Sequence, residues 1–593
     1  MKQFYFSKYE QREPYATTKR WWLLSSLFQI SGSILIVLGI YYLYWRWTYS
    51  MNWESAWFSV PLVLAETFSF ISTVLVVYNY WDNKDLKQEA PARYLSEIED
   101  IDAEADRPIR IDVFIATYNE DEELVRYSIR DAKKMRYPFS DVRINIWVLD
   151  DGRREEMKAV AEEEGVQYLS RSSNAGFKAG NLKNGLENSD GDLLVILDAD
   201  TRPFPTLLEH TIGYFRNRKM AWVQTPQWFY DLTEPVRITT FFRWIFNFRE
   251  PKSPNFLDKT IGSIKIGKDV FGNDPQIFYD VILRRRNFYN ASFCCGAGSV
   301  HRRKSIMEAA QAVYEKEVDR KYAAFLLENR SKTDEAALEK IKTEVEFRPF
   351  VYHASEDIYT SLLIHAEKKK WQSYQHPTVE CKMLSPQDLD TWVKQRTRYA
   401  SGSLDIAIKN NPLIIKGLSL GQRINYFQTV YSYFAPIWVL VFLLSPPIFF
   451  FTLTPPVSSF NFDFFKIFIP FQIINVITMT LGTWGIPTKR ADQYYISSFS
   501  LMLKSIFAVL KGEKVRFHVT QKTGAAARNL RYVVPHLSII FLTILGIIYN
   551  VWLMAKDLHP SYSGFVANAL WSLFNMYNLS IMILAAFWHQ SDE

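Results

Sequence analysis

Six apolar runs, two near the start of the chain and four near its end, frame a long polar stretch, and few folds accommodate that plan. The runs lie near 22–46, 55–79, 428–453, 464–484, 531–555 and 565–588. Each is long enough for a helix to cross about 30 Å of hydrocarbon. The short turns joining the members of each pair carry almost no base apart from Lys556. By contrast Lys489, Arg490, Lys504, Lys511, Lys514, Arg516, Lys522, Arg528 and Arg531 crowd the stretch between the fourth and fifth runs. By the positive-inside rule, the polar stretch and both termini then face the cytoplasm of a multi-pass inner (plasma) membrane protein. The segment from Lys2 to Trp22 is polar and basic with no convincing cleavage site, and reads as the approach to a first transmembrane helix.

The aromatic content, 16% of 593 residues, suits membrane interfaces, a carbohydrate path, or both. A formal charge of only +6 gives no reason to expect a nucleic-acid partner. Three cysteines, Cys294, Cys295 and Cys381, are too few for a disulfide scaffold and are expected as free thiols in the cytosol. Pro446, Pro447 and Pro470 fall inside apolar runs, where they kink helices without establishing a channel.

The expected plan begins with a cytosolic N-terminus (1–21), transmembrane helices 1 and 2 (22–79) and an acidic linker (80–107). An α/β domain (108–384) follows, with a helical insertion near 303–347, and then interfacial helices (385–424). Transmembrane helices 3 and 4 (425–484), an interfacial helix with a basic loop (485–530), helices 5 and 6 (531–588) and a cytosolic C-terminus (589–593) complete it. Within the α/β domain, strands are expected at 111–116, 142–149, 166–169, 192–197 and 221–225, separated by helices near 121–135, 154–164, 178–188 and 204–216. That alternation predicts a mostly parallel sheet covered on both faces, with ligands at the carboxyl ends of its strands.

Two acidic clusters follow expected strands: Asp150 and Asp151 before Gly152, and Asp198 and Asp200 in LDAD. Carboxylates gathered at strand ends need a cation or ligand donors to balance them, and a divalent ion bridging to a diphosphate is one such balance. Asn174 to Asn181 runs into a helix, where Lys178 can meet phosphate; a plain loop and helix start reads equally from these residues. Ser355, Glu356 and Asp357 supply either a general base or a helix cap. In TWVKQRTRYA, Gln395, Arg396, Arg398 and Tyr399 offer planar charge for phosphate and a ring for a sugar face, and would also suit an interfacial helix. FHVTQK (517–522) sits in the basic loop between Gly512 and Gly524, compatible with a moving lid.

The ordered set TYNE (117–120), DDG (150–152), FKAGN (177–181), DAD (198–200), VQTP (223–226), FCCGAG (293–298), SED (355–357), QRTRY (395–399) and FHVTQK resembles the processive, inverting family 2 glycosyltransferases of the cellulose synthase-like group. The resemblance runs from the first helix to the last. It implies a GT-A (Rossmann-like) α/β cytosolic catalytic domain inserted in an α-helical transmembrane domain of about six helices. It further implies that Thr117, Tyr118, Glu120 and Asp150 line the uridine side, with Asp151 in support, and that Lys178 meets the diphosphate. Asp198 and Asp200 would bind the nucleotide sugar through Mg²⁺ or Mn²⁺, and Asp357 would be the base. Gln395, Arg396 and Arg398 would hold pyrophosphate; Cys295, Gly296, Ala297, Glu356 and Tyr399 would face the acceptor; Phe517, Val519, Thr520 and Lys522 would belong to a gating loop. UDP-glucose, a growing β-glucan chain, the lipid bilayer and an envelope partner for export are the partners so implied.

Departures from the cellulose synthase pattern lie on the acceptor side: Ala297 for Ser, Ser355 for Thr, Tyr399 for Trp, and Phe177 for His beside Lys178. No cyclic-dinucleotide-binding barrel is expected after the last helix. These departures look more like the curdlan synthase branch, so the expected product is a linear β-1,3-glucan, with β-1,4 or mixed-linkage glucan as the alternative. A hyaluronan- or chitin-type synthase, a single-turnover transferase to a lipid carrier and a non-enzymatic transporter or assembly scaffold are the rival classes. The intact Asp150, Asp198, Asp200 and Asp357 weigh against the last.

Overall fold

In a computed structural model, the structure describes residues 4–18, 21–232, 236–237, 265–266, 269–329, 333–386, 388–458, 462–513, 529–558 and 562–587. A seven-stranded sheet in the order β11-β6-β10-β4-β1-β2-β3 organises the polar stretch. Its strands are β1 (Arg110–Thr117), β2 (Arg143–Asp150), β3 (Gln167–Leu169), β4 (Leu193–Asp198), β6 (Met220–Gln224), β10 (Ser299–Arg302) and β11 (Gln372–Gln375). All neighbours pair in parallel except β10, which runs antiparallel to both β4 and β6. β10 and β11 were not expected: Ser299–Arg302 is too short to show a period, and it runs straight into a helix. A second, three-stranded sheet holds β5 (Arg202–Pro203), β7 (Gln227–Phe229) and β12 (Cys381–Met383), and Val236–Arg237 (β8) pairs with Lys265–Ile266 (β9).

Side-chain alternation explains why the strands read as continuous apolar runs. Leu193, Val195 and Leu197 of β4 pack with Ile111, Val113 and Ile115 of β1 against α3 (Glu122–Ala132) and α4 (Glu155–Glu163). Leu194, Ile196 and Phe114 face the other way, onto Leu182 and Leu186 of α5 (Phe177–Glu187) and Ile364 of a later helix. Both faces are therefore buried. Beyond β5 come the short α6 (Leu207–Thr211) and, after β10, α7 (Arg303–Glu328) and α8 (Glu335–Glu344), which form the helical insertion. α9 (Glu356–Ala366) and α10 (Leu389–Lys409) follow.

Among the described residues six helices are long and apolar enough to cross a membrane: Trp22–Thr48, Trp53–Asn79, Ala435–Thr452, Asp463–Gly482, Val534–Ala555 and Tyr562–Phe587. The run expected at 428–453 divides into Leu420–Ser432 and Ala435–Thr452. Pro436 lies in the first turn of the second piece, where a missing N–H costs nothing. Inside the first pair, Arg46 is fully buried and donates to Glu66 at 2.8 Å, which answers the cost of burying its charge. The N-terminal segment is no loose tail. Phe6 and Tyr9 pack with Trp228, Tyr230 and Leu384, and Glu10 pairs with Arg202 and Lys382.

Candidate active site

Strand register sets the site. Thr117 is the partner of Asp150 across β1 and β2, and Ala116 is the partner of Asp198 across β1 and β4, so TYNE, DDG and DAD emerge at one edge of the sheet. The antiparallel β10 starts at that edge, which places the preceding FCCGAG loop beside them. Gln224 of VQTP holds that loop: its Oε1 accepts from Cys295 N at 2.8 Å and its Nε2 donates to the Ala297 carbonyl at 2.9 Å. Ala297, which the resemblance places toward the acceptor, is fully buried.

The catalytic candidates converge from five segments. Lys178, from the first turn of α5, pairs with Asp198. At Gly296, φ is +83°, and a Cβ there would lie 3.3 Å from Lys178 Nζ and 3.6 Å from Asp357 Oδ2. A glycine at this point thus satisfies the backbone angle and brings the loop against both charges. Glu356 and Asp357 open α9, where the helix N-terminus favours anions, and the Ile358 N–H donates to Asp357 at 2.8 Å. α10 lies over them. A Cβ at Gly402 would meet Ser355 Oγ at 2.1 Å, and His353 Nε2 lies 2.9 Å from Asp405 Oδ2, so the helix seats directly on the SED turn. A small recess lies among Lys178, Gly296, Glu356, Asp357, Trp222 and His301.

The electrostatics follow from this crowding. Burial, then the neighbouring Asp357, pushes Glu356 up to about 7. Burial also raises Asp357, with the Ile358 N–H, Lys178 and Arg398 opposing it. Burial works against the charge of Lys178, but Asp198, Glu356 and Asp357 outweigh it and hold the ammonium above its ordinary range. Arg398 is likewise raised against its burial by Tyr399, Glu356, Asp357 and Asp198. Burial pushes the Cys294 thiol up to about 12, and Cys295 rises with it, so neither is a thiolate nucleophile. All three cysteines are free.

The TYNE and DDG residues form a second cluster. Glu120 Oε2 accepts from Thr117 Oγ1 and the Tyr118 N–H, both at 2.8 Å, and leaves the Tyr118 ring 44% exposed. Asp150 is fully buried, with its oxygens taken by the Gly152 N–H, Arg154 and the Tyr168 hydroxyl. Asp151 is bound at both oxygens by Arg171, at 2.6 and 2.8 Å. Both aspartates, including Asp150, which the resemblance places on the uridine side, have their oxygens on partners within the fold. Arg154 and Arg171 were missed; basic residues soon after an acidic pair were the available signal. Asp198 keeps 43% of its side chain exposed and Asp200 is 9% exposed, with its Oδ2 3.4 Å from the Leu384 N–H. On α10, Arg396 lies over the Trp392 ring, Gln395 is half-buried, and Tyr399 is 36% exposed. Phe517, Val519, Thr520 and Lys522 lie outside the described residues.

Sheet, strand-end loops and six apolar helices together define a GT-A-like α/β domain joined to a helical bundle of membrane-crossing length. Residues 112–309 match the family model for Glycosyl transferase family 2, and residues 348–585 match that for Cellulose synthase. Cellulose synthase 1 catalytic subunit (UDP-forming) of Komagataeibacter xylinus is 26% identical over 558 residues, covering 92% of this chain and 65% of that one. Cellulose synthase catalytic subunit (UDP-forming) of Pseudomonas fluorescens is 23% identical over 564 residues, covering 93% and 65%. The chain therefore spans just under two thirds of the length of these relatives. Among solved structures, a mannosyltransferase from Pyrobaculum calidifontis aligns with a TM-score of 0.43 at 12% identity, over 77% of this chain and 100% of that one.

Proposed function

We propose that this chain is a processive, inverting glycosyltransferase that takes sugar from a UDP-sugar, UDP-glucose, and extends a β-glucan at the cytoplasmic face of the inner membrane. The observation that carries this reading is the convergence of Lys178, Gly296 and Asp357 at one recess, with Asp198 paired to Lys178 and Arg398 near enough to feel the charge of Asp357 and Asp198. Asp357, its proton affinity raised by burial, takes the proton of the acceptor hydroxyl as that oxygen attacks the anomeric carbon. Direct displacement inverts the anomeric centre, so the new linkage is β and no sugar is held covalently. Lys178 and Arg398 meet the charge of the leaving diphosphate, Gln395 and Arg396 flank it, and Thr117, Tyr118 and Glu120 line the uridine side.

Asp198 and Asp200 offer two carboxylates at a strand end, a hard oxygen donor set that fits Mg²⁺ or Mn²⁺. Such an ion would offset negative charge on the nucleotide diphosphate. Cys295, Gly296, Glu356 and Tyr399 border the acceptor, FHVTQK gates the site, and the product leaves through the helical bundle toward an envelope partner.

The relatives are named cellulose synthases, so a β-1,4-glucan replaces the β-1,3-glucan expected from the acceptor-side departures. With Ala297 buried, the β-1,3 reading rests on the exposed Tyr399 ring. Digestion of the product from purified protein and UDP-glucose decides between them: cleavage by a β-1,4-glucanase alone supports the cellulose type, and cleavage by a β-1,3-glucanase alone overturns it.

A further inference from the structure

Away from the transferase recess, three groups of the kind that hold transition metals come together. His210 Nδ1, His376 Nε2 and a Glu380 carboxylate oxygen lie within 4.8 Å of one another. His210 is on α6, and the other two residues occupy the turn between β11 and β12. Glu380 Oε1 is 2.6 Å from His210 Nδ1 and 3.7 Å from His376 Nε2. His376 is 2% exposed, yet its Nε2 has no hydrogen-bond partner. A buried ring nitrogen held 3.7 Å from a buried carboxylate is a loose pairing, and an ion between them would tighten it. The outer contacts are those of a ligand set. The Tyr214 hydroxyl is 3.2 Å from His376 Nδ1, and Thr206 Oγ1 donates to Glu380 Oε2 at 2.6 Å, which leaves Oε1 turned to both imidazoles.

We propose that His210, His376 and Glu380 bind one divalent transition metal, Zn²⁺ by donor type, with water completing the set on the partly exposed His210 side. Tetrahedral ligands at about 2.0–2.2 Å from zinc stand roughly 3.4 Å apart. The His376 and Glu380 atoms are close to that spacing, and His210 recedes by roughly 0.8 Å as the ion displaces the proton it shares with Glu380. The site is structural. The Glu380 carbonyl accepts from the Phe204 N–H, and the His376 N–H donates to the Gln224 carbonyl, so the ion staples the segment after DAD to the strand that holds the FCCGAG loop.

Tag-free, full-length protein in detergent is loaded with Zn²⁺, dialysed in excess Mg²⁺ to occupy hard carboxylates, and assayed for metal. The expected result is about one zinc per chain, with thermal stabilisation on loading. His210→Asn, at the exposed ligand, should keep the metal-free melting temperature of the wild type and lose both the retained zinc and the stabilisation; His376→Gln and Glu380→Gln should lose the zinc as well. Zinc absent from the wild type, or retained in full by His210→Asn, overturns the proposal.

Discussion

Asp150 ends β2 with Asp151 just beyond it, Asp198 ends β4 with Asp200 just beyond it, and only β1 separates the two strands. The first pair is buried under Arg154, Tyr168 and Arg171, with every carboxylate turned inward. In the second pair Asp198 leans on Lys178 and remains 43% exposed. The same residue type at the same kind of strand end thus has two uses. A carboxylate with an arginine over it is committed to partners within the fold, and one beside a lysine keeps part of its surface exposed.

This contrast can be broken by substitution. Asp150→Ala removes the acceptor of the Gly152 N–H and one of the acceptors of Arg154 and of the Tyr168 hydroxyl, so thermal denaturation should show a loss of about 3 kcal/mol in stability. An unchanged melting temperature would remove the distinction between the pairs. Asp198→Asn should do the opposite, leaving the melting temperature near that of wild type while polymer synthesis falls by about 10²–10³-fold. Tyr399→Ala should slow elongation by about 5–10-fold, from loss of roughly 1 kcal/mol of ring contact, with UDP binding by calorimetry unaltered.

The smallest effect concerns pH. Glu356 is raised to about 7 by burial and Asp357, so the fold binds its proton more tightly than the unfolded chain does. Its contribution to stability is complete below about pH 4.5 and is lost as pH rises through about 7. Glu356→Gln should flatten stability across that window.

What could be read from the chain, and what could not, follows from the length of the signals. Apolar runs of membrane length and strands such as Leu193–Asp198 carry their pattern in consecutive residues, and each motif at a strand end inherits its place from that strand. The short β10 carries no such pattern, and its antiparallel course depends on the FCCGAG turn, where Gly296 and Gly298 both have positive φ. Partners distant in sequence were also invisible. Nothing local to His353 announces Asp405, and nothing in Phe6 or Glu10 announces Trp228 or Lys382. The difference between the acidic pairs was hidden for the same reason, since Arg171 reaches Asp151 only once β3 and α5 are in place.

The most direct test of the account is transfer of labelled glucose from UDP-glucose into insoluble polymer by purified wild type and Asp357→Asn, with UDP affinity measured alongside. The account predicts polymer from the wild type, a fall of about 10²–10⁴-fold in the variant, and UDP binding preserved. Polymer made by the variant at the wild-type rate would contradict it.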